Sequence, residues 1–199
     1  MNQVYEIVWH GRGGQGAVTA AQIFTLGAYH EGFKGVSAKP TYFSERRGAP
    51  VSVHTRISGQ PIRTFSNVLL PDIAVVLDDN LLQMVNVTAN LKQGGLVVIN
   101  SSRRIAELGI NSGLTVAVAD AFHSSETAGL VVEGNVLIST SILGPLAAAS
   151  NLVSLDSIRR AIGEKFKGNA LGRNIRALEL AYENTEISQY ELPAASARA

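Results

Sequence analysis

Val4-Tyr5-Glu6-Ile7-Val8-Trp9-His10-Gly11-Arg12-Gly13-Gly14-Gln15-Gly16-Ala17-Val18 decides the fold of this chain. Val4, Ile7, Val8 and Trp9 read as a buried strand, and residues 17–31 read as a helix, so the glycines sit at a sharp strand-to-helix turn. Gly11, Gly13 and Gly16 match the G-x-G-x-x-G spacing that permits a tight turn and close backbone approach to a phosphate. The first helical N–H groups leave such a turn unpaired and attract an anion. Arg12 adds a positive charge to the same place. Two readings stay open: an anion site, or a turn whose glycines only let the helix pack onto the sheet. A dinucleotide site further needs an acid at the end of the second strand, about 20 residues on. Here that strand, residues 35–38, runs into Lys39 and Pro40, while Glu31 falls in the helix and Glu45 in a later loop.

Outward from the turn, strand-like and helix-like runs alternate. Residues 39–50 are irregular, and Val51, Val53, Thr55 and Ile57 then alternate with Ser52, His54 and Arg56 as in a half-buried strand. Residues 60–65 are placed to return as its hairpin partner. Residues 73–77 read as a buried strand ending in Asp78-Asp79, followed by a helix to about residue 91 that Gly94-Gly95 stops. Strands at 96–99 and 114–119 follow, the second ending in Asp120. The expected fold is α/β: a Rossmann-like, mainly parallel sheet with helices on both faces. Helices at 136–149, at 155–166 behind a Ser154 cap, and at 170–183 make a helical C-terminal extension. Residues 3–183 form one domain, and 184–199 an arm or disordered tail.

Of the 199 residues 46% are hydrophobic and 17% charged, against roughly 25% charged in ordinary globular domains. With a mean hydropathy of +0.14, this points to large, permanently covered interfaces. A net charge of +1 gives no field for nucleic acid or an anionic membrane. No apolar run reaches the roughly 18 residues of a membrane span, and no secretory signal opens the sequence, so a cytoplasmic location is expected. Zero cysteines excludes disulfides and thiolate-held clusters in this polypeptide.

The second notable stretch is Glu45-Arg46-Arg47-Gly48-Ala49-Pro50. An arginine pair in a long irregular segment suits a clamp on a partner chain or on a phosphorylated cofactor such as coenzyme A. A solvated basic turn balanced by Glu45 fits the same residues. Histidines 10, 30, 54 and 123 show no metal spacing, and neither a nucleophile elbow nor a Walker loop occurs. Asp78, Asp79 and Asp120 read as helix caps at strand ends. No complete active site is visible, which fits a subunit better than a free-standing enzyme.

Residues 6–21, from Glu6 through the glycine turn to Ala21, resemble the opening of the gamma subunit of 2-oxoacid:acceptor oxidoreductases, of pyruvate or phenylglyoxylate type. Phe43 to Val51 is similar to that family's second signature, and residues 135–155 to its C-terminal helical segment. The resemblance implies an anaerobic complex that oxidatively decarboxylates a 2-oxoacid on thiamine diphosphate and magnesium. Electrons would pass through 4Fe-4S clusters to ferredoxin or NAD, and the acyl group to coenzyme A. Those centres would belong to thiamine-binding and ferredoxin-like chains, with FAD on an NAD-reducing flavoprotein subunit, and none to this chain. Gly11, Arg12, Gly13, Gly14, Gln15, Gly16, Glu45, Arg46 and Arg47 are carried over as coenzyme-A-proximal or subunit-interface residues. Ser37 to Tyr42 departs from the pyruvate-type pattern, which keeps an aromatic 2-oxoacid open. The alternative is an independent Rossmann-like nucleotide-binding module or reductase.

Overall fold

The computed structural model of the chain describes residues 3–42, 48–64, 66–110 and 113–189. Strands β1 (Val4–Arg12), β2 (Gly35–Tyr42), β3 (Pro50–Ser58), β4 (Ile73–Val76), β5 (Leu96–Asn100) and β6 (Thr115–Ala119) precede a small hairpin, β7 (Val131–Val132) with β8 (Asn135–Val136). A last strand, β9 (Glu186–Ser188), closes the described chain. The helices are α1 (Ala17–His30), α2 (Leu81–Met84), α3 (Ala121–Thr127), α4 (Leu143–Ser150), α5 (Leu155–Lys165) and α6 (Gly168–Glu183).

The main sheet has seven strands in the order β2-β3-β1-β4-β5-β6-β9. β1, β4, β5 and β6 run parallel, and they supply the unbroken apolar sequence typical of strands buried on both faces. β3 is antiparallel to both its neighbours, β1 and β2, and β9 is antiparallel to β6. Because side chains alternate along each strand, the sheet feeds two cores. Ile7, Trp9, Val53, Val75, Val98 and Ala117 pack with α1, α4, α5 and α6. Ala74, Val76, Val97, Ile99, Val116 and Val118 pack instead beneath Leu81, Val87 and the segment around Ile105 and Leu108. Helical cover on that second side shrinks to single turns, α2 and a 3-10 turn at Ile105–Glu107.

Several local expectations change, each for a physical reason. β2 continues through Lys39 and Pro40 to Tyr42, since Pro40 lies on an edge strand, where a missing N–H is tolerated. Residues 60–64 do not pair as a strand, because both edges of β3 are already taken. They cross over Gly35 instead, where an added Cβ would collide with the Gln60 carbonyl and Ile62. The helix expected to reach residue 91 stops after Met84: Val85 is extended, and Val85-Asn86-Val87-Thr88 is poor helix sequence. The helix expected from residue 136 begins at Leu143. Ser139, Thr140 and Ser141 offer competing side-chain hydrogen bonds, and Pro145 fits only a first turn. Ser154 caps α5 as expected, its hydroxyl accepting from Ser157 N–H at 3.2 Å. Residues 186–188, in the stretch without periodicity, add the short edge strand β9.

The contact of α4 with α6 fixes the helical layer and depends on one missing side chain. A Cβ on Gly144 would lie 2.5 Å from Tyr182 N and 2.6 Å from Leu178 O, atoms of backbone that cannot yield. Gly144→Ala is therefore expected to lower stability by about 2–3 kcal/mol in urea unfolding. An unchanged midpoint would show that the two helices can separate without loss.

Candidate functional site

The glycine turn lies at the carboxyl end of β1, between two strands that hold it differently. On one side β3 extends the pairing of β1 as far as Arg12 opposite Pro50. Beyond that pair the backbones stay laced, with Gly13 N–H donating to Ala49 O at 2.9 Å and Gly48 N–H to Gly13 O at 3.1 Å. The end of the Glu45–Pro50 stretch is thereby fastened to the glycine turn. Glu45, Arg46 and Arg47 themselves lie outside the described residues.

On the other side stands Asp78, just past β4. Arg12 Nε donates to its Oδ2 at 2.7 Å, and Gln15 Nε2 approaches the same oxygen at 3.4 Å. Gln15 closes the turn on itself, its Oε1 accepting from Arg12 N–H at 2.8 Å. Burial pushes the Asp78 carboxyl up, but hydrogen bonds from Arg12 and Asn80 outweigh it and hold the pKa below the ordinary value. The positive charge expected in the turn is consequently neutralised by a half-buried ion pair.

Backbone conformation and packing account for three of the glycines. Gly14 and Gly16 have φ of +97° and +89°, which L side chains rarely adopt. A Cβ on Gly16 would also lie 2.8 Å from Ser139 Cβ, and one on Gly11 3.3 Å from Ala17 Cβ. Gly14, Gly16 and Gly11 thus let the chain reverse and seat α1 against the 139 segment. No carboxylate occupies the first turn of α1, and Gly16 supplies no side-chain cap.

Two depressions flank the turn. One, of about 370 Å³, is lined by Gln15, Asp78, Asp79, Asn100, Asp120 and Phe122 at the carboxyl ends of the parallel strands. Its acids are internally engaged. Asp120 caps α3 through His123 N–H at 2.7 Å, as expected, whereas Asp79 accepts from Ser101 Oγ at 2.7 Å and pairs with Arg103 at 2.9 Å. With Asp78 and Asp79 paired to Arg12 and Arg103, the charge left on this cleft is the Asp120 carboxylate, which does not attract a phosphate. Among the described residues no group of three or more His, Cys, Asp and Glu side chains could hold a metal ion.

The other depression, of about 330 Å³, runs between the β1–β3 surface and residues 67–71 and 81–90. His10 and His54 line it together with Val68, Leu69 and Val85. Burial, with His54 nearby, pulls the His10 imidazole down to about 4. Burial and the charges of Arg56 and Lys39 lower His54 as well, and its Nδ1 accepts from Val68 N–H at 3.1 Å. Sequence reasoning placed His10 beside the turn but missed Asp78 as the partner of Arg12. It also passed over Leu69-Leu70, whose only trace is an apolar pair before Pro71 in a stretch without periodicity.

With that geometry in view, comparison with known proteins gives one consistent result. A family model described as pyruvate ferredoxin/flavodoxin oxidoreductase matches residues 6–184. The chain is 44% identical over 185 residues to the pyruvate/ketoisovalerate oxidoreductases common subunit gamma of Pyrococcus furiosus, covering 92% of this chain and 97% of the relative. It is 42% identical over 183 residues to pyruvate synthase subunit PorC of Methanothermobacter thermautotrophicus, covering 91% and 96%. Among solved structures, the pyruvate oxidoreductase subunit PORC of Thermotoga maritima superposes with a TM-score of 0.80 at 29% identity, covering 94% and 99%.

The state of His10 gives a measurable pH dependence. Its folded pKa lies below the unfolded value, so the unfolded chain binds the extra proton between roughly pH 6.5 and 4. Stability from this residue is complete above that window and is lost as pH falls through it. His10→Gln should flatten the wild-type decline between pH 6.5 and 4, read as the difference between two unfolding series. Parallel curves would place the imidazole in water.

Proposed function

This chain belongs to the pyruvate ferredoxin/flavodoxin oxidoreductase family as a gamma-type subunit of a multi-subunit 2-oxoacid oxidoreductase, and we propose that its own task there is architectural. The glycine turn, with Gly11, Arg12, Gly13, Gly14, Gln15 and Gly16, and the Glu45-Arg46-Arg47 segment form the surface that meets the sister chains. The observation that carries this reading is the backbone lacing of Gly13 to Gly48 and Ala49, which joins two separate sequence signatures into one edge. Charge supports an interface over a coenzyme A site. Arg12 is spent on Asp78, and the neighbouring cleft is acidic, so the described part of the turn offers a pyrophosphate no free cation.

Strand order speaks against the rival reading, an independent nucleotide-binding module. In a dinucleotide fold the second strand of the β-α-β unit lies parallel beside the first. Here antiparallel β3 fills that place, and β2 is one strand further out.

In the complex we place the oxidative decarboxylation of a small 2-oxoacid, pyruvate or a branched-chain analogue, to an acyl-coenzyme A, with ferredoxin as acceptor and a cytoplasmic location. The names of the relatives support pyruvate or ketoisovalerate over phenylglyoxylate, and the family description supports ferredoxin over NAD. Thiamine diphosphate with magnesium and the iron–sulfur clusters reside on sister chains. A sequence with no cysteine lacks the thiolate donors such clusters use. No described helix is long and apolar enough to cross a membrane.

Replacing both Arg46 and Arg47 by alanine separates the two roles. Assembly should weaken at least tenfold, while the complex that still forms keeps its KM for coenzyme A. Full assembly with a raised coenzyme A KM would move this loop to the coenzyme and overturn the architectural assignment.

A further inference from the structure

The segment Asn67-Val68-Leu69-Leu70-Pro71 carries the largest apolar exposure near the glycine turn: Leu69 is 77% and Leu70 59% exposed. Such a segment would ordinarily fold its leucines inward, because apolar area left in water is lost stabilisation. Here buried polar groups hold it outward. The Arg56 side chain, 9% exposed, donates through NH1 to Ser66 O at 2.6 Å and through NH2 to Asn67 O at 3.4 Å, and its Nε binds Glu6 at 2.7 Å. One residue on, the Val68 N–H is fixed on His54 Nδ1. A buried arginine and a histidine from β3 thus brace the base of two exposed leucines, and Pro71 stiffens the far side. Pre-organisation of this kind lowers the ordering cost of binding.

The surroundings state what kind of partner fits. Near the leucines three ion pairs are closed within the chain: Arg56 with Glu6, Asp72 with Lys92 at 2.7 Å, and Arg12 with Asp78. Met84, 61% exposed, adds apolar surface beside Arg12, whose NH2 lies 3.2 Å from its sulfur. Leu69 also forms one wall of the groove that runs to Gly11 and Pro50, so the leucine segment and the laced glycine edge are one continuous surface. The groove that Leu69 lines holds no Lys, Arg, Asp or Glu among the described residues, so it offers no charge to a nucleic acid, an anionic membrane or an acidic peptide.

We propose that Leu69 and Leu70, braced by Arg56 and His54, form an apolar knob that inserts into an uncharged recess of a sister subunit, as the anchor of the interface that begins at the glycine turn. This rests on the architectural reading above and adds to it the residues that carry the affinity. Side chains that become fully desolvated in a well-packed pocket are where interfaces concentrate their energy.

The test uses the complex isolated through a tag on this chain, its sister subunits identified by mass spectrometry. Two double variants are compared with wild type, Leu69→Asp with Leu70→Asp, and the uncharged Leu69→Gln with Leu70→Gln. Both should fold with unchanged thermal midpoints, since the replaced side chains are solvent-exposed. Both should reduce the recovered oxidoreductase complex at least tenfold, the aspartates more. Wild-type recovery of the complex by both variants would overturn the knob while leaving the architectural reading intact. Failure of the wild-type chain to bring down identified sister subunits would overturn both. A self-associating chain whose dimer, and not the complex, is lost in the variants would assign the knob to a second copy and overturn the sister-subunit assignment.

Discussion

Two backbone hydrogen bonds, Gly13 N–H to Ala49 O and Gly48 N–H to Gly13 O, join the glycine turn of this subunit to the start of β3. They continue the antiparallel β1–β3 pairing past the point where β1 must turn into α1. A strand that reverses within four residues while staying paired on one side needs left-handed backbone at Gly14 and Gly16. It also needs room for α1 to close against Ser139. The glycines therefore answer to the geometry of the strand pairing first. The positive charge of Arg12 beside that helix start is balanced by Asp78.

The same strand, β3, links this edge to the leucine segment. Its inward residues Val51, Val53 and Ile57 fill the larger core, which fixes the register on which everything else depends. Its other face carries Ser52, His54 and Arg56, two of which reach the backbone of residues 66–68. One antiparallel strand inserted beside β1 thus displaces β2 from the dinucleotide arrangement, carries Pro50 and Val51 at the end of the second signature, and holds the backbone of residues 66–68. The low share of charged residues fits a molecule of which much surface is covered in its complex.

Much of this was legible in the sequence where a local rule decided the matter. The strand–turn–helix at residues 4–30, the buried parallel strands, the Ser154 cap and the Asp120 cap follow from periodicity and capping chemistry. What escaped depended on pairing between distant residues. Nothing local reveals that β3 lies between β2 and β1, that Asp78 finds Arg12 across 66 positions, or that Arg56 grips the carbonyls of Ser66 and Asn67. Helix length also failed where propensity and tertiary cover pulled apart, at Val85 to Thr88 and at Ser139 to Ser141. The two motifs that carried the resemblance stand over thirty residues apart in sequence, and only the fold brings Gly13 against Gly48 and Ala49.

Amide hydrogen exchange on this chain, free and within the purified oxidoreductase, tests the central claim most directly. The account predicts that assembly protects the glycine turn, residues 48–51 and residues 66–71 together, since they form one covered edge. Protection confined to the opposite side of the subunit, around α5 and α6, with these segments exchanging as fast as in the free chain, would contradict it.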